Sequence, residues 1–221
     1  IIMSIGSLLI KKPNGCSAIK GDKINFKKAF KIILNKQYLA IWFIFFLNIT
    51  CGLALISQEK SIVNYIGLGS IVAIIASLTA ASNAIGRFGY STWSDKTCDR
   101  SNIYSYIFAS CFFILLLSIL CILFDLNVIL PFVIVLMLLI CNAGCGGGFS
   151  TLPSLLSDRF GMKNVSIIHG FALSAWAWAG LCGNQLGNYL INNYGYLTLF
   201  GVLTILYIIS YWITQEIIKE K

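Results

Sequence analysis

Charge is what this sequence has least of. Of its 221 residues only 11% are Asp, Glu, Lys or Arg, where a soluble domain carries about 25%. Half the usual supply does not cover a water-exposed globule, so a soluble fold is excluded. Acidic residues are the scarcer kind, eight against sixteen Lys and Arg, and His169 is the single histidine. Paired carboxylates, a nucleophile triad and a zinc signature are all missing, which argues against an enzyme and implies no cofactor or metal. A phosphate-cradling loop is missing too, because no Gly-Lys-Ser/Thr follows the glycine-rich stretch near 144–148.

What is present is apolar: 58% of the residues, with a mean hydropathy of +0.84. Apolar runs fall at about 39–58, 67–91, 103–124, 128–150, 166–187 and 196–214. A spanning helix needs about 20 such residues. The runs are too long and continuous for strands, and the alternating segments of a membrane barrel are not seen. The fold expected is an all-α membrane protein, a six-transmembrane-helix bundle over 39–214. Residues 1–10 read as the end of a preceding span, 11–38 as a basic loop and 215–221 as a tail. The chain opens at Ile1 inside an apolar run, so a fragment of a longer protein is expected.

The formal net charge of +8 does not point to nucleic acid, because its placement is that of a membrane protein. Eight lysines crowd 11–38, a juxtamembrane stretch suited to an anionic bilayer surface. Six single crossings put that segment on one side with the loops 92–102 and 151–165 and the tail. Those four regions hold fourteen of the sixteen basic residues. The opposite loops, 59–66, 125–127 and 188–195, hold one, Lys60. The positive-inside rule makes the first side cytoplasmic, and the alternation holds only for six spans. Loops this short predict that successive helices are antiparallel neighbours. Tyr38, Trp42, Tyr65, Tyr104, Tyr189, Tyr194, Tyr211 and Trp212 near the run ends read as interfacial belts. Six of the eight cysteines lie in apolar runs, where free Cys behaves as a small hydrophobe.

With so few charges, the exceptions inform. Arg87 lies eight residues before Asp95, about 12 Å deeper along a helix. An arginine at that depth either faces a cavity or partner or snorkels to the interface; its planar fork suits a carboxylate. Asn83, one turn earlier, shares its face and can orient it. The loop Asp95, Lys96, Asp99, Arg100 alternates acid and base: a conformational latch between helix ends, or a solvated loop. Gly144, Gly146, Gly147, Gly148 and Pro153 mark a packing or hinge helix. The next run offers small residues for tight contact, including Gly170, Ser174, Gly180, Gly183 and Gly187. It also carries His169, an interfacial histidine or a proton relay, and Trp176, a packing residue or part of a substrate path.

Several of these stretches resemble a known superfamily. Asn83-x-x-Gly86-Arg87 followed by Trp93, Ser94, Asp95, Lys96 and Arg100 is similar to the loop signature of the major facilitator superfamily, in its second-half copy. Residues 145–153, then Asp158, Arg159, Phe160 and Gly161, then His169, Gly170 and Ala175 to Gly180, resemble the oxalate/formate antiporter family, relatives of the monocarboxylate transporters. Phe26 to Phe30, leading to Tyr38 and 46–53, resembles that family's entry into its seventh helix.

The resemblance, over about 24–214, implies the C-terminal half of a twelve-helix carrier whose missing N-terminal half is its partner. It implies secondary transport of small carboxylate anions by alternating access. Arg87 is then the substrate clamp, supported by Asn83 and Trp176, and Gly86, Asp95, Lys96 and Arg100 form the latch. Two departures matter. Asn83 stands where the monocarboxylate carriers show an aspartate. Trp176 stands where oxalate carriers have a lysine. With one cation in this half, a monoanion such as pyruvate, lactate or formate fits better than oxalate, because an unpaired buried charge is costly. The rival reading is a non-transporting sensor or scaffold on the same fold. A six-helix protein that dimerises to rebuild the twelve is a third.

Overall fold

Backbone in hydrocarbon must satisfy its own hydrogen bonds, and helices do so segment by segment. The computed structural model describes residues 26–162 and 165–218, and no strand occurs among them. A short helix α1 (Phe26–Ile33) precedes six long ones. These are α2 (Lys36–Tyr65), α3 (Val72–Ser94, entered by a 3-10 turn, Gly69–Ile71), α4 (Ser101–Leu123), α5 (Leu130–Phe160), α6 (Val165–Tyr194) and α7 (Tyr196–Ile213). A π-type turn, Thr214–Ile218, continues α7. All six are long and apolar enough to cross a membrane. The protein is an all-α, integral, multi-pass membrane protein built as a six-helix bundle.

Local chemistry sets the ends. The Asn35 side chain accepts from the Gln37 N–H at 2.8 Å and caps α2. Gly161 (φ 77°) stops α5 and Gly195 (φ 84°) makes the turn from α6 to α7, in the left-handed region that a side chain resists.

Helices outrun the apolar runs. Residues 59–65, 151–160 and 188–194, expected as loops, are helical, as are 26–33 and 36–38 of the expected basic loop. A hydropathy run ends at the first polar residues, whereas a helix continues wherever those residues have a polar surface to face. Pro153 lies inside α5 without ending it. The expected helix end at 1–10, most of the lysine-rich stretch and the last three residues lie outside the described residues.

The packing order also departs from expectation. Successive helices do run antiparallel, but α2 barely touches α3, and α3 barely touches α4. The broadest contacts join parallel, non-successive helices, α3 with α5 and α2 with α6. α2 and α5 form the centre, with 67% and 61% of their spanning windows buried; α3 and α6 flank one open face and are only 17% and 22% buried. α4 and α7 close the back, packed against each other, with α4 also on α5 and α7 also on α2 and α6.

Small residues make those two seams. A Cβ on Gly86 would run into the Ala143 backbone, and one on Gly146 into the Asn83 backbone. One on Gly147 would enter the Tyr90 ring. Along the α2–α6 seam, a Cβ on Gly183 would lie 2.7 Å from the Thr50 carbonyl and one on Gly187 2.8 Å from that of Ala54. Gly144 and Gly148 give the same closeness to Ile107 and Asn48. Gly170 and Gly180 correct the expectation, since an added Cβ would meet nothing within 4 Å. Gly170 is exposed and Gly180 half-buried, and neither makes a close contact of the seam.

Two tyrosines read as interfacial are core. Tyr38 is 1% exposed and donates to the Ile168 carbonyl at 2.7 Å, tying α2 to α6. Tyr104 is fully buried and donates to the Gly148 carbonyl at 2.6 Å, tying α4 to α5. Between lipid-solvated helices such bonds and close van der Waals contact supply the cohesion that water exclusion supplies elsewhere.

Gly86→Val should therefore lower the thermal unfolding temperature of the purified protein, by overpacking worth about 1–3 kcal/mol. Gly201→Ala, at a position where a Cβ meets nothing within 4 Å, should leave it unchanged. Equal unfolding temperatures for the two would contradict the seam.

Candidate functional site

The open face holds a cleft of about 650 Å³ between α2, α3, α5 and α6. Ile49, Leu53, Ile56, Ala76 and Ala80 form its apolar wall. Its polar groups are Glu59, Thr79, Asn83, Arg87 and Asn142, with Cys145, Phe149 and Trp176 completing the lining.

Arg87 reaches this cleft because Gly86 lets α3 lie against α5. Two contacts then fix the guanidinium. Nε donates to Asn83 Oδ1 at 3.1 Å. The Asn83 amide is itself oriented, donating through Nδ2 to the Asn142 carbonyl at 3.1 Å. The guanidinium carbon lies 5.0 Å from the centre of the Phe149 ring, a cation–π contact. Arg87 forms no ion pair among the described residues. Its Nε is occupied by Asn83, and no hydrogen bond or ion pair among the described residues uses the two terminal nitrogens. A guanidinium with both terminal nitrogens unused can hold a carboxylate through two parallel bonds.

The aromatic wall is continuous. Phe149 packs on Phe45 at 5.6 Å and meets Trp176 edge-on at 5.9 Å. Trp176 is 51% exposed, turned towards the open face rather than into the bundle. Arg87, Asn83 and Trp176, singled out in the sequence, thus line one cleft. His169 does not line it: its Nδ1 is enclosed with no hydrogen-bond partner among the described residues. Gly146 and Gly147 bring α5 onto α3 beneath the cleft rather than lining it.

Glu59 is the residue that sequence reasoning missed. It was placed in an outward loop, whereas α2 carries it into the cleft, where Thr79 Oγ1 lies 2.6 Å from Glu59 Oε1. A signal was available: Ile49, Leu53, Ile56 and Glu59 follow three- and four-residue steps, one continuous helix face. Asn142 and Phe149 sit in a glycine-rich stretch whose composition points to packing alone.

The far end of α3 carries a separate ionic cluster. Arg100 bridges Asp95 at 2.7 Å and Asp158 at 2.6 Å, and bonds Ser94 Oγ at 3.0 Å. Arg159 pairs with Asp99 at 2.8 Å. The α3–α4 connection is thereby tied to the end of α5. Asp95 first, then Asp158, holds the Arg100 guanidinium protonated more firmly than usual. Burial works against ionising Asp99, but the Ser101 backbone N–H at 2.9 Å and the Arg159 guanidinium outweigh it, holding the carboxyl below its ordinary range. Two members of the expected latch lie apart from it. Lys96 is exposed and joins no ion pair among the described residues, and Gly86 serves the α3–α5 seam more than two turns away. Asp99 of the same loop stays in the cluster, and Asp158 and Arg159 join it, because the end of α5 is helix and brings these two side chains to the loop.

No family model matches the chain, and no curated protein matches it. Fold and cleft together define the class: an integral multi-pass helical membrane protein with an arginine-bearing cleft, part aromatic in its lining, on its least buried face.

Because folding depresses the Asp99 carboxyl, its stabilising contribution is complete above the unfolded value of about 4 and disappears as pH falls through the lower folded value. Asp99→Asn should lower the unfolding temperature by several degrees at pH 7 and remove part of the acid-side decline that the unaltered protein shows. Thermal unfolding across pH checks both, and identical curves would refute the assignment.

Proposed function

We propose that the chain is one half of a secondary carrier for small carboxylate anions, working by alternating access, with Arg87 as the anion clamp. The observation that carries this reading is Arg87 itself. It is a fixed cation within a membrane span, braced by Asn83 and Phe149, without a counter-ion among the described residues, and facing a cleft. A charge held that way in hydrocarbon is costly unless something anionic arrives to use it. The resemblance to the oxalate/formate antiporter and monocarboxylate carriers gives that anion a chemistry.

The open face supports a covering partner. Helical spacing puts Gly180 and Asn184 on the same side of α6 as Trp176, and Asn184 and Gln185 are exposed. Lipid tails cannot satisfy Arg87, Asn83 and these amides together, whereas a second six-helix half facing the cleft can. The Asp95–Arg100–Asp158 cluster then acts as the latch of one conformation, at the end that the fourteen basic residues assign to the cytoplasm. Trp176, in place of a second cation, favours a monocarboxylate over oxalate.

The test is uptake of labelled pyruvate by the full-length protein in liposomes. Arg87→Gln should lower kcat/KM on the order of 100-fold, the effect of losing a charge-assisted bidentate contact of about 3 kcal/mol, with the unfolding temperature retained. Pyruvate should compete well against oxalate. Wild-type uptake by Arg87→Gln, or no uptake of any small carboxylate, would overturn the reading.

A further inference from the structure

Arg87 shares its cleft with a charge of the opposite sign. Among the described lining residues Glu59, from α2, is the other charged group, and α5 and α6 bring none. Lys60, next along α2, is exposed and does not line the cleft. Neither Glu59 nor Arg87 forms an ion pair among the described residues. As carboxylate and guanidinium the two sum to zero. A plain carboxylate docked on Arg87 therefore leaves one negative charge in excess, beside a wall of Ile49, Leu53, Ile56 and Ala76. Unbalanced charge in such surroundings is costly. A ligand that brings an ammonium group along with its carboxylate keeps the sum at zero.

Each end of such a ligand meets a group held ready for it. The buried Thr79 hydroxyl lies 2.6 Å from Glu59 Oε1 and fixes that carboxylate against α3. The second oxygen, Oε2, accepts no hydrogen bond among the described residues. Arg87 in turn has Nε on Asn83 and both terminal nitrogens unused. Thr79 and Asn83 are four residues apart, about 6 Å along α3, and Thr79 and Arg87 eight, about 12 Å. The Arg87 side chain starts at the farther level and bonds Asn83 at the nearer, which places its guanidinium between these limits. An α-amino acid fits that gap. Bonded bidentately to a guanidinium and through its ammonium to a carboxylate, it separates the two by about 9 Å. Pyruvate carries a carbonyl oxygen where the amino acid carries its ammonium, and an acceptor gives a carboxylate nothing to bond. The volume agrees. A cleft of about 650 Å³ belongs with pockets that enclose drug-sized molecules, more than three carbons need. The rest of its wall, from Ile49, Leu53 and Ile56 to Phe149 and Trp176, suits an apolar side chain and offers no partner to a further charge.

We infer that this cleft selects, among carboxylates, an α-amino acid with an apolar side chain, held as a zwitterion with its carboxylate on Arg87 and its ammonium on Glu59. The inference rests on Arg87 as the carboxylate site and names the class of carboxylate which that site prefers. Glu59 is the residue that sets specificity: it attracts an amine and repels a second anion. Simple monocarboxylates dock on Arg87 alone and bind more weakly.

The experiment is equilibrium binding to the purified full-length protein, near pH 7, of two labelled compounds with one carbon skeleton: leucine and its 2-oxo acid, 4-methyl-2-oxopentanoate. Glu59→Gln, Glu59→Asp and Arg87→Gln are measured alongside. Unaltered protein should bind leucine about tenfold or more tightly than the oxo acid, the effect of one additional charge-assisted hydrogen bond. Glu59→Gln keeps an oxygen for Thr79 to bond. It should lose that preference, binding leucine about tenfold more weakly and the oxo acid as well as before or better, which also shows that the variant is folded. Glu59→Asp keeps the charge and should keep leucine ahead. Arg87→Gln should lose both ligands. Equal binding of the two ligands by unaltered protein, or an intact leucine preference in Glu59→Gln, with both ligands lost in Arg87→Gln, would overturn this inference and leave the carboxylate site standing. Loss of both ligands by a Glu59→Gln variant that keeps its unfolding temperature would do the same. Undiminished binding by Arg87→Gln, or no binding of leucine, the oxo acid or pyruvate, would overturn the carboxylate site and this inference with it.

Discussion

The close approach of α3 to α5 is the constraint on which the rest depends. Where Gly86 meets the Ala143 backbone and Gly146 meets that of Asn83, no side chain separates the helices. Backbone contact fixes both register and rotation. It brings the Asn83 amide to the Asn142 carbonyl and the Arg87 guanidinium over Phe149. It also lets Ser91 donate to Ser150 at 2.8 Å, and Ser150 to the Arg87 carbonyl at 3.0 Å. A seam built from bulky apolar residues would hold the helices further apart and leave the arginine without its brace. The orientation of the cleft's cation is thus a consequence of missing side chains one turn away.

The two charged regions obey different electrostatics. At the end of α3, Asp95 is exposed and Arg100 partly so, and single ion pairs in that setting contribute little. Their effect comes from joining one loop to one helix end through several contacts, with Arg159 and Asp99 as the more enclosed pair. In the cleft the charges are few and their surroundings apolar, so each weighs more. This contrast is what the proposed carrier needs: contacts at the ends that break and re-form easily, and a central site where charge must balance.

Much of the fold was legible because membrane insertion imposes a one-dimensional rule. Six apolar runs gave six helices, and Arg87 stood out because so little else in the spans is charged. Errors gathered where apolarity ended but helix did not. Glu59 fell beyond the limit of an apolar run, although α2 extends to Tyr65. Asp158 and Arg159 were placed in a loop although α5 extends to Phe160. Tyr38 and Tyr104 are ambiguous in sequence, because an amphipathic ring suits a membrane interface and a buried carbonyl equally well. Gly170 and Gly180 look like Gly183 and Gly187 in sequence, because composition does not say which face of α6 meets α2.

The class of solvent, the number of crossings and an out-of-place cation can all be read from the order of residues alone. Those follow from transfer free energies that add up along the chain and need no knowledge of neighbours. Packing in three dimensions settles which helices touch, that Arg87 is braced by Asn83 and Phe149, and that Glu59 shares its cleft. These depend on the rotation of each helix about its axis. That rotation is set by side chains on other helices, far away in the sequence, through contacts of a few ångströms that no single run of residues records.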